Sequence, residues 1–244
     1  MALTILQTST PTAEQWDHVW SNADNATFYH SRWWHDIWDQ YTGGKIRPAP
    51  LLIEFSDGAK ALFTASTHRV AGGVIKRCLS SPASTYGAWI SERPLSADHY
   101  NILKEDVLGQ FPILIMRFNP LAYDQTFADL PGLEEEHTQM LDLQVDFEDI
   151  YSKWTKGHRS AVTKARRLGV TTRPAASKDD WDTFYDIYMD TFQRWGKKAT
   201  SRYFKRFFES MYALQSKHVR LWMADCDGEP VAASIIFYAK QHVT

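Results

Sequence analysis

Two Asp-Gly dipeptides, Asp57-Gly58 and Asp227-Gly228, stand 170 positions apart, and each lies between two apolar strand-like runs. Asp-Gly supplies the backbone freedom that a tight hairpin needs, so each dipeptide marks a strand pair. Two helix-like segments precede each pair, one set beginning near Thr12 and Ser31, the other near Asp179 and Ser201. The order helix, helix, hairpin therefore occurs twice. This repetition constrains the fold more than any other feature, because it reads as two copies of one α/β unit.

The first copy starts with a short strand at 3–6. Thr10-Pro11-Thr12 with Glu14 then reads as a helix start, and a second amphipathic segment at 31–41 ends at Gly43 and Gly44. The runs 50–55 and 60–66 form the hairpin, strands are expected at 74–79 and 85–90, a helix at 96–108, and a buried strand at 113–118 closed by Pro120. The stretch 130–137 is acidic and loop-like, and 140–145 is expected as a strand. The run 147–168 reads as one long helix stopped by Gly169. A boundary near residue 146 follows, giving units 1–145 and 146–244. The second unit adds a strand at 170–173, helices at 179–194 and 201–214, and strands at 219–225 and 231–239. It stops at Thr244 with a strand lacking its neighbours, so the expectation is a fragment, or an unusually short relative, whose second unit is incomplete.

With 244 residues, 44% of them apolar and 23% charged, the chain can bury a sizeable core. The formal charge of -2 gives no global basic field, which argues against DNA as a partner and leaves any polyanion to a local patch. Cys78 and Cys226 lack a CxxC or a metal spacing and are expected as reduced thiols. His30 and His35 lack a third ligand, so no metal is expected. The absence of a basic leader and of any long apolar run leads to the expectation of a cytoplasmic protein without a transmembrane segment. Gly-x-Ser-x-Gly, Walker and Rossmann signatures are missing, which argues against hydrolase, NTPase and dehydrogenase functions.

Along 147–168, a turn of about 100° per residue places Ile150, Trp154, Ala161, Ala165 and Leu168 on one face. The opposite arc collects Lys153, Lys156, Lys164 and Arg167, with Arg159 and Arg166 on one flank. No acidic residue occurs between Asp149 and Asp179. Phosphates take several charge-assisted donors, which makes Arg159 and Arg166 the first candidates for binding one and Lys164 and Arg167 the next. A charged helix face is also commonly just solvated. Tyr86, in a Ser-Thr-Tyr-Gly turn, and Arg117, at a strand end expected to open into a cleft, are the candidate catalytic bases or orienting groups, although tyrosine and arginine at strand ends are more often structural. Arg202, before a helix, is a further candidate anion contact. Trp33, Trp34 and Trp38 could bind a sugar or an acyl tail, though the helical spacing of Trp34 and Trp38 favours core packing.

The segment YSKWTKGHRSAVTKARRLGV at 151–170 resembles the arginine, alanine, basic pair, Gly-Val pattern of FemAB-like proteins. FYHSRWW at 28–34, Thr85-Tyr86-Gly87, Arg117-Phe118-Asn119-Pro120, Leu141-Asp142-Leu143 and 191–204 follow in the family's order. The resemblance implies two GNAT-like units, α/β with mixed sheets flanked by helices, transferring an acyl or aminoacyl group to an amine or hydroxyl of a cell-envelope or polysaccharide precursor. It implies no bound cofactor, with acyl-CoA or aminoacyl-tRNA as co-substrate; tRNA would be a partner in the second case. Members acting on muropeptides tend to carry a lysine where this chain has His35, Asp36, Ile37 and Trp38, and a long helical arm for which 202–214 leaves no room. Acyl-CoA is then the favoured donor. The glycine-rich turn of a simple GNAT would lie beyond Thr244, and in the first unit only Gly72-Gly73 and 80–87 stand near its place. A non-catalytic module binding saccharide or anion, or an aminoacyl-tRNA-dependent peptidoglycan-bridge transferase, is the alternative.

Overall fold

Helix starts and stops are set by side chains that the sequence supplies at the right offsets. In the computed structural model, which describes residues 2–244 apart from 123 and 200, strand β1 (Ile5–Ser9) leads into α1 (Ala13–Asn22). The Thr12 hydroxyl accepts from the Gln15 amide at 3.2 Å while the Gln15 side chain accepts from the Thr12 amide at 2.8 Å. This reciprocal cap satisfies two of the helix's orphan donors. Helix α2 (Arg32–Thr42) is capped by Ser31, whose hydroxyl accepts from the Trp34 amide, and ends at Gly43 with φ +59°. The left-handed turn there needs no Cβ, which is why glycine stands at the stop.

Among the described residues three four-stranded sheets follow. The first joins β1, β3 (Leu51–Phe55), β4 (Lys60–Phe63) and β7 (Trp89–Ile90) in the antiparallel order β1-β3-β4-β7. Its pleat sorts side chains to two buried faces. Leu52, Leu62 and Ile90, paired across the ladder, meet Trp16, Val19 and Trp20 of α1. Ile53, Phe55, Ala61 and Phe63 turn the other way, onto Leu103 and Val107. The second sheet has the order β2-β5-β6-β8, from β2 (Ile46–Pro48), β5 (Ser66–Val70), β6 (Ile75–Leu79) and β8 (Leu114–Ile115), with only β6 and β8 parallel. The third, in the order β12-β11-β10-β9, uses β9 (Thr171–Pro174), β10 (Val219–Cys226), β11 (Glu229–Ala239) and β12 (His242–Val243).

The remaining helices are α3 (Ala97–Ile102), α4 (Phe147–Ser152), α5 (Lys156–Arg167), α6 (Lys178–Trp195) and α7 (Lys205–Ala213). By contacts the chain divides into one unit of Met1–Leu133, Phe204–Val219 and Phe237–Thr244, and another of Glu134–Tyr203 and Arg220–Ile236. In the first unit, Trp34 and Trp38 of α2 are buried and pack with Phe207 of α7 at 5.1–6.2 Å between ring centres. Core packing therefore accounts for both tryptophans. In the second unit, Arg173 on β9 binds Asp180 of α6 in a fork at 2.8 and 3.1 Å and Asp225 of β10 at 2.7 Å. Its guanidinium ties the helix to two strands.

Several expectations are corrected. The run 147–168 is two helices, because Thr155 is extended (φ -59°, ψ 153°) and its hydroxyl accepts from the His158 amide, capping a new helix. The face expected as core is largely open, since α5 has no buried residue and Leu168 is 53% exposed. The buried strand at 113–118 reduces to Leu114–Ile115, with Ile113 and Ile115 exposed. No strand forms at 140–145, where Met140, Leu141 and Leu143 are exposed. The helix from 96 continues past Ile102 as a wide turn over Leu103–Val107 and a tight one over Leu108–Gln110. Among the described residues no helix is long and apolar enough to cross a membrane.

Candidate active site

The segment 80–88, Ser-Ser-Pro-Ala-Ser-Thr-Tyr-Gly-Ala, was expected to enter a strand at 85; only Trp89 and Ile90 do so. Ala83, Ser84 and Ala88 hold left-handed backbones with φ of 57°, 53° and 78°. Each costs about 1 kcal/mol or more for a residue with a Cβ, and such conformations persist only where the surroundings fix them. The surroundings here are explicit. The Ser81 hydroxyl lies 2.7 Å from that of Thr85, which donates to the Pro82 carbonyl at 2.8 Å and accepts from the Trp34 indole at 3.1 Å. A Cβ on Gly87 would stand 2.3 Å from the Ser80 carbonyl oxygen, so only glycine fits.

His30 anchors the far end of this loop. Its Nδ1 accepts from the Thr27 amide at 3.1 Å, leaving Nε2 to donate to the Gly87 carbonyl at 3.2 Å. Complete burial pushes the imidazole pKa down to about 4, with the two backbone contacts opposing the shift. His35, one turn into α2, bonds through Nδ1 to the Ser66 hydroxyl at 2.7 Å, and burial pushes it down to about 3. Both rings are neutral structural groups near neutral pH. Cys78 is buried and free, its thiol pushed up to about 12 by burial, which leaves it a core residue and not a nucleophile.

Tyr86 and Arg117 are brought together. The Arg117 guanidinium lies 5.7 Å from the centre of the Tyr86 ring, donates to the Ser84 carbonyl at 2.6 Å, and its backbone amide donates to the Ser80 hydroxyl at 3.0 Å. The Gly87 amide donates in turn to the Arg117 carbonyl at 2.9 Å. Tyr29, its hydroxyl pKa raised chiefly by burial, stands 6.5 Å from the Tyr86 ring. The result is a strained, tightly held loop presenting a phenol and a guanidinium side by side. This pair can orient and polarise a carbonyl or hold an oxyanion.

Arg159, Lys164, Arg166 and Arg167 all lie on α5 in the other unit. Arg159 is half-buried and donates to the Ser152 carbonyl at 3.2 Å, while Lys164, Arg166 and Arg167 are exposed. The lysine and arginine ion pairs described in that unit engage Arg173, Lys178 and Arg194. Arg202 precedes α7 and lies 5.4 Å from the Phe192 ring. Sequence reasoning overlooked His30 and Gly87 as holders of the loop, and Arg173. The signal for the first two was available, since FYHSRWW and Thr85-Tyr86-Gly87 are the segments that meet here.

A cavity of about 220 Å³ beside Asp24, Asn25, Trp89, Arg93, Tyr100 and Leu121 is smaller than ordinary ligand pockets and uses none of these candidates. Among the described residues no group of three metal-binding side chains occurs.

Residues 152–244 match the family described as acetyltransferase (GNAT) domain. No curated protein matches the chain significantly. Among solved structures, that of FemX superposes with a TM-score of 0.58 at 13% identity, over 91% of this chain and 58% of that one. The class to which the chain is similar is thus that of the GNAT-type acetyltransferase domain, over residues 152–244. More particularly, the chain shares its fold with FemX and spans 58% of the FemX chain's length.

Proposed function

We infer that the protein is an acyltransferase that moves an acyl group from a carrier, acyl-CoA before aminoacyl-tRNA, to an amine or hydroxyl of a cell-envelope or polysaccharide precursor in the cytoplasm. The observation that carries this reading is the GNAT acetyltransferase match over residues 152–244. In the transfer, the acceptor nitrogen or oxygen loses its proton and attacks the carrier's carbonyl carbon. The carbon–sulfur bond of the thioester then breaks, and the leaving thiolate takes up a proton. The two-unit reading, 1–145 and 146–244, belongs to this proposal.

Each candidate residue has one role in it. Tyr86 and Arg117 act at the reacting centre, the phenol and guanidinium aligning the acceptor and the developing oxyanion. Arg159 and Arg166, with Lys164 and Arg167 beside them, bind the phosphates of carrier or acceptor, and Arg202 adds a weaker anion contact. Exposure of most of this basic set supports the reading, because a phosphate needs accessible donors.

The test is thiol release from acetyl-CoA and longer acyl-CoAs in the presence of aminosugar acceptors, comparing the protein with an Arg159→Ala, Arg166→Ala double variant. A rise in the KM for acyl-CoA of tenfold or more, with the fold intact, is expected from losing two charge-assisted contacts. Unchanged carrier affinity in the double variant would remove these arginines from the site.

A further inference from the structure

The hairpin of β5 and β6 carries a charge pattern that folding alone does not explain. Arg69 stands directly across the ladder from Lys76, and His68 from Arg77. The Arg69 amide donates to the Lys45 carbonyl at 2.9 Å, which sets Lys45, Arg69 and Lys76 side by side across neighbouring strands. Arg47 lies opposite Thr67. Like charges directly opposite one another cost stability. The ion pairs described in this unit engage Arg32, Lys60, Arg93, Lys104 and Lys240, not these five cations. The crowding is felt locally, since the Arg77 charge, after burial, helps hold His68 below its ordinary pKa.

The tip of the same hairpin is apolar. Ala71, Gly72 and Gly73 turn the chain through three successive left-handed residues, with φ of 50°, 67° and 93°. Val74 follows at 86% exposure and Ile75 at 39%. A Cβ placed on Gly72 or Gly73 would meet nothing within 4 Å, so the tip projects into open space. Two exposed β-branched apolar residues on a projecting turn, with a collar of five cations behind them, match the two layers of an anionic bilayer surface. The headgroup phosphates attract the cations, and the boundary of the acyl chains accepts small apolar side chains. A nucleic acid would satisfy the cations but offers nothing to a valine that lacks an aromatic face to stack on a base.

We propose that this hairpin docks the protein on an anionic membrane surface, Val74 and Ile75 entering the interface while Lys45, Arg47, Arg69, Lys76 and Arg77 meet lipid phosphates. The full chain would be floated with phosphatidylcholine vesicles and with vesicles in which phosphatidylglycerol replaces part of that lipid. Binding is expected only to the anionic vesicles, and weakening as salt rises. Arg69→Gln with Lys76→Gln should lower partitioning roughly 25-fold, about fivefold for each cation removed near the surface. Val74→Asp should also release the protein, and the milder Val74→Ser should do so in part. Arg69, Val74 and Lys76 are solvent-exposed, so melting temperatures no lower than that of the unaltered chain serve as the folding control. No binding to anionic vesicles, or equal binding by all variants, would overturn the proposal. So would tRNA binding that falls with the glutamine pair while vesicle binding does not.

Discussion

Lowering the pH from 7 to 5 should destabilise this protein by about 4 kcal/mol through two buried histidines. His30 and His35 are both fully buried, and burial pushes their folded pKa values down to about 4 and about 3 from the ordinary 6.5. Both shifts are downward, so the unfolded chain takes up protons that the native state refuses. Stability is therefore lost as the pH falls through 6.5, and the loss levels off only near the folded values. At pH 5 each unfolded imidazole binds its proton with a free energy of about 2 kcal/mol, and this figure hardly depends on where below 5 the folded pKa lies. Most carboxylates titrate below this window. Urea unfolding between pH 5 and 8 measures the slope. His35→Asn, which keeps a polar atom near Ser66, should roughly halve it. A stability that is flat to within about 1 kcal/mol between pH 7 and 5 would refute the burial argument.

Gly87→Ala should cost about 3 kcal/mol or more, seen as a fall in melting temperature, because the new Cβ meets the Ser80 carbonyl at 2.3 Å. Arg117→Ala should cost about 1 kcal/mol of stability, through the Ser84 contact, and also reduce acyl-transfer turnover. Tyr86→Phe should leave stability unchanged yet lower turnover by roughly a hundredfold if the hydroxyl acts on a proton; equal turnover would make the tyrosine a packing residue. Asp180→Asn should cost about 2 kcal/mol in urea unfolding at pH 7. The Arg173 contact holds the Asp180 carboxyl down to about 2, so its contribution is present above pH 4, fades as the pH falls toward 2, and is missing from the variant's acid limb.

Local rules made much of the fold legible. Thr12, Ser31 and Gly43 cap helices by chemistry confined to one turn, and both Asp-Gly turns fall where hairpins form. The two turns nonetheless differ. Only Gly58 is left-handed in the first, whereas both Asp227 and Gly228 are in the second. Reasoning along the chain missed what depends on distant partners. The alternation of Leu141, Leu143 and Val145 predicts a strand, but a strand needs a neighbour, and these residues pair with none among the described residues. Periodicity likewise carried 147–168 through as one helix because Thr155 fits a helix interior and an N-cap alike. Tyr86 and Arg117 could be named from the sequence because both stand at ends of strand-like runs. Their partnership could not, since it depends on the folding of a loop around Trp34 and His30.

The central claim is the proposed acyl-carrier binding, and a thermal-shift series with acetyl-CoA, longer acyl-CoAs, nucleotide sugars and tRNA tests it most directly. At a hundred times the dissociation constant, a ligand of the folded state adds about 2.7 kcal/mol, or roughly 5–10 °C for a chain of this size. The account predicts such a rise with acyl-CoA, reduced in the Arg159→Ala, Arg166→Ala variant. A melting temperature indifferent to every acyl-CoA and to tRNA would contradict it.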